Sequence, residues 1–323
     1  MRGALLLAAK LVVSAGLLYL SFRSINVSAL MARISQNSLG SIIGWMALAV
    51  LVMIVQVFLA ALRWREITVR CAAPLGTLQA FRYNLIGMFF NQTMPSTIGG
   101  DAMRLWLVKR TGAGWRAATY SVLVDRAIGL IALAIIVVLS LPWSWALISD
   151  ARGRVALALV DLAAISAGIG FLVLSRLRWT WLRTWWPTHH AHACSRVANL
   201  AVFDRHSGPL IGVSSILIQV LTIVVAWCAV RAISAPADFA EVFLLIPPIV
   251  LITMAPISIA GWGVREATMM YAFGFAGLPP ADGTMVSLLF GATSFIVGGI
   301  GGLAWIVSAE KSATAPGDSP GVS

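Results

Sequence analysis

The chain has 323 residues, of which 59% are hydrophobic and only 11% charged, with a mean hydropathy of +0.90. Soluble domains carry charge on about a quarter of their residues, so a soluble enzyme or binding module is excluded and the composition is that of a polytopic membrane protein. The formal net charge of +11 comes from basic residues at the ends of apolar runs, where the positive-inside rule places them. Nucleic acid is not an expected partner.

In chain order, Gly3 to Phe22 predicts a first span. Lys10 interrupts its apolar run and no small-x-small site precedes Arg23, so the segment is expected to be retained rather than cleaved. Asn26 to Ser38 predicts a short interfacial helix, with Leu30, Met31 and Ile34 at helical spacing. Ser41 to Leu62 predicts a second span, stopped by Arg63-Trp64-Arg65-Glu66, where a tryptophan among charges marks the interface. Gly76 to Arg110 reads as a broken segment, and Ala117 to Leu141 as a span ending at Pro142-Trp143-Ser144-Trp145. The second half repeats that order: a span over Val155 to Leu174, an interfacial loop over Arg176 to Arg205, a span over Leu210 to Val230, a broken segment over Phe239 to Phe275 and a last span over Gly283 to Val307. Residues 1–307 form one transmembrane domain, with repeat one about 3–141 and repeat two about 155–307. Residues 308–323, rich in small residues, are expected to be a disordered cytoplasmic tail.

The breaks carry the clearest internal likeness. Pro95-Ser96-Thr97-Ile98-Gly99-Gly100-Asp101-Ala102-Met103-Arg104 aligns without a gap to Pro256-Ile257-Ser258-Ile259-Ala260-Gly261-Trp262-Gly263-Val264-Arg265. Each copy follows an apolar run far shorter than the ~20 residues a crossing needs, so each predicts a turn inside the membrane, with Pro95 and Pro256 breaking the helices. Three crossings per half is an odd number, which inverts the second half relative to the first. With the N-terminus inside, 15 basic residues fall on the cytoplasmic side, 5 outside, and three (Arg104, Arg126, Arg265) within the membrane. The expected fold is an all-α polytopic membrane protein of about six transmembrane helices plus two re-entrant broken-helix hairpins, arranged as an inverted repeat with both termini cytoplasmic.

Six charges are predicted near membrane depth: Asp101, Arg104, Asp125, Arg126, Arg265 and Glu266. Exposed to lipid they would together cost about 15–21 kcal/mol, so they pair or face a wet cavity. Asp101 and Arg104 share a helix face. The adjacent pairs Asp125-Arg126 and Arg265-Glu266 diverge by about 100°, so at least one member of each is expected to reach another segment. Gly129, one turn beyond, opens space there. At the second half-helices, the backbone N–H groups of Gly99, Gly100, Gly261 and Gly263 and the helix dipole suit an anion, with Arg104 and Arg265 adding forked donors for phosphate. Asp101, Asp125, Arg126 and Glu266 form the linking charge network; the bland alternative is that all six charges only hold the repeats together. Asn91 and Gln92 line the hairpin tip or cap backbone groups.

Weaker signals point to packing. Gly291, Gly298, Gly299, Gly301 and Gly302 allow close helix approach. Cys71, Cys194 and Cys228 have no metal or disulfide spacing, and His189-His190-x-His192-x-Cys194 lacks a second ligand cluster, so no metal and no cofactor are expected. No P-loop, nucleophilic triad or catalytic carboxylate pair appears, and an enzyme is not expected.

Asn91-Gln92-x-x-Pro95-x-x-x-Gly99-Gly100-Asp101-x-x-Arg104, Asp125-Arg126-x-x-Gly129-Leu130 and Pro256-x-Ser258-x-x-Gly261-x-Gly263-x-Arg265-Glu266 together resemble the lysylphosphatidylglycerol synthase transmembrane region, or flippase-like UPF0104 group, over about residues 3–307. The resemblance implies an inner-membrane protein that binds a phospholipid or lipid-linked headgroup and assists its passage between leaflets, with a separate lipid-modifying enzyme as a possible partner. The soluble synthase domain of full-length relatives has no counterpart in this sequence, which leaves the lipid open. The alternatives are a membrane transferase, for which Asp101 with Asp125 is the only candidate pair, or an accessory subunit of a glycolipid, polyprenyl-sugar or hopanoid pathway.

Overall fold

A computed structural model of the chain describes residues 19, 38–94, 99–174, 176, 186–254 and 262–313. Among these residues the fold is entirely helical, in ten helices: α1 (Leu39–Arg70), α2 (Thr77–Thr93), α3 (Gly99–Arg110), α4 (Trp115–Leu147), α5 (Ala151–Leu174), α6 (Trp186–Val202), α7 (Gly208–Ala232), α8 (Phe239–Thr253), α9 (Val264–Phe275) and α10 (Pro280–Ala313). Five of them, α1, α4, α5, α7 and α10, are long and apolar enough to cross a membrane, and they coincide with five predicted spans. The sixth, Gly3 to Phe22, the interfacial helix after it, and the tail from Thr314 lie outside the described residues. So do Pro95, Pro256 and Gly261.

The two broken segments are pairs of short helices, 17 and 12 residues in α2 and α3, 15 and 12 in α8 and α9. At ~1.5 Å per residue even the longest covers about 26 Å, short of a ~30 Å hydrocarbon core.

Matching α1 with α7, α2 with α8, α3 with α9 and α4 with α10 maps the packing onto itself. α1–α2 and α7–α8, α2–α3 and α8–α9, α3–α4 and α9–α10, α1–α4 and α7–α10 are all in contact, and the cross-pairs α2–α10 and α8–α4, α1–α10 and α7–α4 likewise. The α1–α7 pair, its own image under this exchange, is the most extensive interface. Each half-length helix α2 and α8 therefore leans on the last long helix of the opposite half.

Three expectations need correction. α1 does not stop at Arg63; it runs to Arg70, and Arg63 and Trp64 are buried, 6% and 0% exposed. A charged, aromatic run after an apolar one resembles an interface, but here it continues a helix whose inner face meets other charges. α4 continues through Pro142 to Leu147; in a membrane, neighbouring helices and hydroxyl side chains tolerate the lost N–H, and Ser144 Oγ reaches the Leu244 carbonyl of α8 (3.5 Å). The predicted interfacial loop contains α6, which satisfies last-turn carbonyls of α5: Ser195 Oγ donates to the Phe171 carbonyl and Asn199 Nδ2 to that of Leu172. Beyond α6, Asp204 accepts from the backbone and hydroxyl of Ser207, from His206 N, and from Arg70, which together hold its carboxyl down at about 2.

The glycines of α10 behave as packing residues. A Cβ at Gly301 would overlap the Leu85 carbonyl of α2, whereas one at Gly299 would meet nothing. Gly301→Leu is expected to cost about 1–3 kcal/mol through forced separation of α2 and α10, read as a lower melting temperature in detergent, while Gly299→Leu leaves it unchanged.

Candidate functional site

The polar cavity lies between the halves. Its volume is about 320 Å³ and it is lined by α1, α2, α3, α4, α7 and α10, with Met254 from the end of α8. On α1 the lining positions Met53, Gln56, Val57, Ala60 and Arg63 fall on one helical stripe.

Five charges form a chain across it. Asp125 of α4 accepts from Arg63 Nε at 2.9 Å and from an Arg104 terminal nitrogen at 2.8 Å. Asp101 accepts from the other Arg104 terminal nitrogen at 3.4 Å and from Arg126 Nε at 2.7 Å. All four carboxylate oxygens are therefore taken by guanidinium groups. Three arginines stand against two aspartates, a surplus of one positive charge in the cavity wall. Arg63, which sequence reasoning placed at the cytoplasmic surface, is the extra member; it also donates to Ser215 of α7 (3.3 Å) and lies beside Gly129, where a Cβ would sit 3.4 Å from its nitrogen. The space expected at Gly129 is there, and Arg63 uses it.

Arg104 is 8% exposed, stacked with its guanidinium carbon 4.0 Å from the Trp64 ring centre. Its Nε has no hydrogen-bond partner among the described residues, nor has Trp64 Nε1. Buried donors are seldom left unmatched, so both N–H groups are able to take an acceptor. Arg126 is the most open of the three arginines, its side chain 36% exposed.

The predicted helix start at Gly99-Gly100 packs against α2, and the Gly100 N–H is occupied: it donates to Asn91 Oδ1 at 2.8 Å. Asn91 thus caps α3 from α2 while also lining the cavity. Side chains would not fit at Gly100, where a Cβ would collide with the Gly87 carbonyl. Gln92 lies away from the cavity, toward Gly298 of α10.

The second constellation is separate. Arg265 donates to Glu266 Oε1 at 2.9 Å and, through Nε, to Ser287 of α10 at 2.9 Å; Ser287 in turn donates to Glu266 Oε1. The adjacent residues pair with each other and, as expected from helical divergence, both also reach another segment through Ser287 of α10. Glu266 Oε2 also accepts the Gly263 N–H at 2.6 Å, so that donor too is used internally; Gly263 has φ +86°, a conformation only glycine adopts readily. Gly291 of α10 leaves room for the Arg265 guanidinium, which lies 5.3 Å from the Trp262 ring and 5.7 Å from that of Phe290. Phe290 also lines the cavity, so one ring borders both the cavity and Arg265.

Sequence reasoning missed Arg63, Gln56, Ser215, Gln219 and Ser287. Ser215, Gln219 and Thr222 at i, i+4, i+7 on α7 form a polar stripe in an otherwise apolar span, a readable signal. Gln56 Nε2 donates to Thr222 Oγ1 (2.7 Å) and Gln219 Nε2 to the Gly129 carbonyl (3.3 Å).

No curated protein and no solved structure gave a match. The family model for the lysylphosphatidylglycerol synthase TM region matches residues 7–302. With its membrane-spanning helices and buried arginine–aspartate core, the chain belongs to the lysylphosphatidylglycerol synthase transmembrane-region family.

Proposed function

We propose that the chain binds the anionic headgroup of a membrane lipid in the cavity between its halves and assists that lipid's transfer between leaflets. The observation that carries this reading is the surplus guanidinium in the cavity wall together with the Arg104 Nε that has no partner among the described residues. A phosphate oxygen matches a forked donor and offsets the charge. Under this reading α2–α3 and α8–α9 are re-entrant pairs entering from opposite faces, the termini are cytoplasmic and the membrane is the inner one. The exchange of packing partners between halves supports an inverted repeat. A separate enzyme that modifies the lipid is the natural partner. A transferase built on Asp101 and Asp125 is disfavoured, since all four of their oxygens already accept from arginines.

Arg126→Gln tests the proposal, because Arg126 is the exposed arginine and its loss brings the network to charge balance. A charge-assisted hydrogen bond is worth about 1.5–3 kcal/mol, so labelling of the lipid in the outer leaflet is expected to fall by about 10- to 150-fold with membrane abundance preserved. Unchanged labelling at normal abundance refutes the headgroup site.

A further inference from the structure

Among the described residues, a buried carboxyl in the middle of a candidate span stands outside both constellations. Asp161 lies in α5, in the stripe Gly153, Leu157, Asp161, Ala164 that faces the protein. It is 2% exposed, and neither carboxylate oxygen has a hydrogen-bond partner among the described residues. Asp101, Asp125 and Glu266 each hold a guanidinium; among the described residues Asp161 holds none.

The described helices packed against α5 supply no uncommitted cation: α9, which meets α5 at Gly153 and Phe275, carries Tyr271 and Arg265, the latter held by Glu266 and Ser287. α4 has no titratable side chain from Ala127 to Leu147. On α8 the only one is Glu241, engaged in capping Asp238. α6 carries His189, His190, His192, Cys194 and Arg196, but it joins α5 at Phe171 and Leu172, ten residues and about 15 Å along the helix from Asp161. On α5 itself, Arg154 is two turns away and donates to the Ile148 carbonyl. Lys10, outside the described residues, is the remaining cation of the predicted first span.

An ionised carboxylate cannot persist in apolar surroundings without a donor; it takes a proton instead. We propose that Asp161 is a proton-binding site, separate from the headgroup cavity, at which the folded protein carries one proton at neutral pH and from which it releases that proton when α5 parts from its neighbours. Such a site gives the protein a way to link helix movement to a proton gradient. The carboxyl neither forms nor breaks a bond other than its own O–H.

Infrared difference spectroscopy of the wild type against Asp161→Asn, in membranes at neutral pH, tests this without any transport assay, so its outcome is independent of the lipid reading. The expected result is a protonated-carboxyl carbonyl band in the wild type, shifted in heavy water and missing in Asp161→Asn. Should that variant not fold, Asp161→Glu, which keeps a carboxyl but moves its carbonyl frequency, makes the same assignment. A wild type with no such band overturns the proposal, as does a band that appears only after Lys10→Met, which would mean that an ionised Asp161 is paired in the native protein.

Discussion

Asp125→Ala is expected to destabilise the protein by about 3–5 kcal/mol, the cost of removing one partner from a buried ion pair. Asp125 is 4% exposed and binds two arginines from different helices, Arg63 of α1 and Arg104 of α3. Without it, three guanidiniums face one carboxylate. Arg63 keeps only Ser215, and Arg104 keeps the 3.4 Å contact to Asp101. Arginine cannot escape by losing its proton, so α1 and α3 must move apart or water must enter. The measurement is the melting temperature in detergent beside membrane abundance. Asp125→Asn, which keeps an acceptor but no charge, should fall between alanine and wild type. If alanine melts like the wild type, the network does not tie these helices together.

Much of this architecture was legible because membranes write it in hydropathy. The apolar runs marked five spans, and two runs too short to cross marked the α2–α3 and α8–α9 pairs. Less legible was anything that depends on which side of a helix a residue occupies near its end. Arg63-Trp64-Arg65-Glu66 reads as a flank by composition, yet Arg63 and Trp64 face inward while the Arg65 side chain is 45% exposed. The pairing of charges was legible in kind but not in partner. Asp101 with Arg104 follows from spacing; Arg104 with Asp125 and Arg126 with Asp101 need the packing of α3 on α4. Donors expected to be free for an anion were already committed: Gly100 to Asn91 through a hairpin, which no local pattern reveals, and Gly263 to Glu266 through the spacing of a capping box, which the Gly-x-x-Glu run does display. Asp161 escaped notice as a lone acid in an apolar helix, since only the packing around it says that it has no partner there.

Glu266→Ala is the second large effect, again about 3–5 kcal/mol for a broken buried pair. Glu266 is completely buried and both of its oxygens are engaged, Oε1 by Arg265 and Ser287, and Oε2 by the Gly263 N–H at the start of α9. Alanine strands a cation and a backbone donor together. Glu266→Gln should cost less, because its carbonyl oxygen still accepts. The informative variant is Glu266→Gln with Arg265→Met, which removes both charges and, as for other buried ion pairs replaced by neutral groups, should recover most of the lost stability; the coupling measures how far the two act as one unit. It also separates the two roles open to Arg265. If the pair only fastens α9 to α10, the double variant recovers abundance and outer-leaflet lipid labelling together. If Arg265 is the second headgroup contact, abundance returns and labelling does not, since no neutral residue at that position replaces a guanidinium toward phosphate.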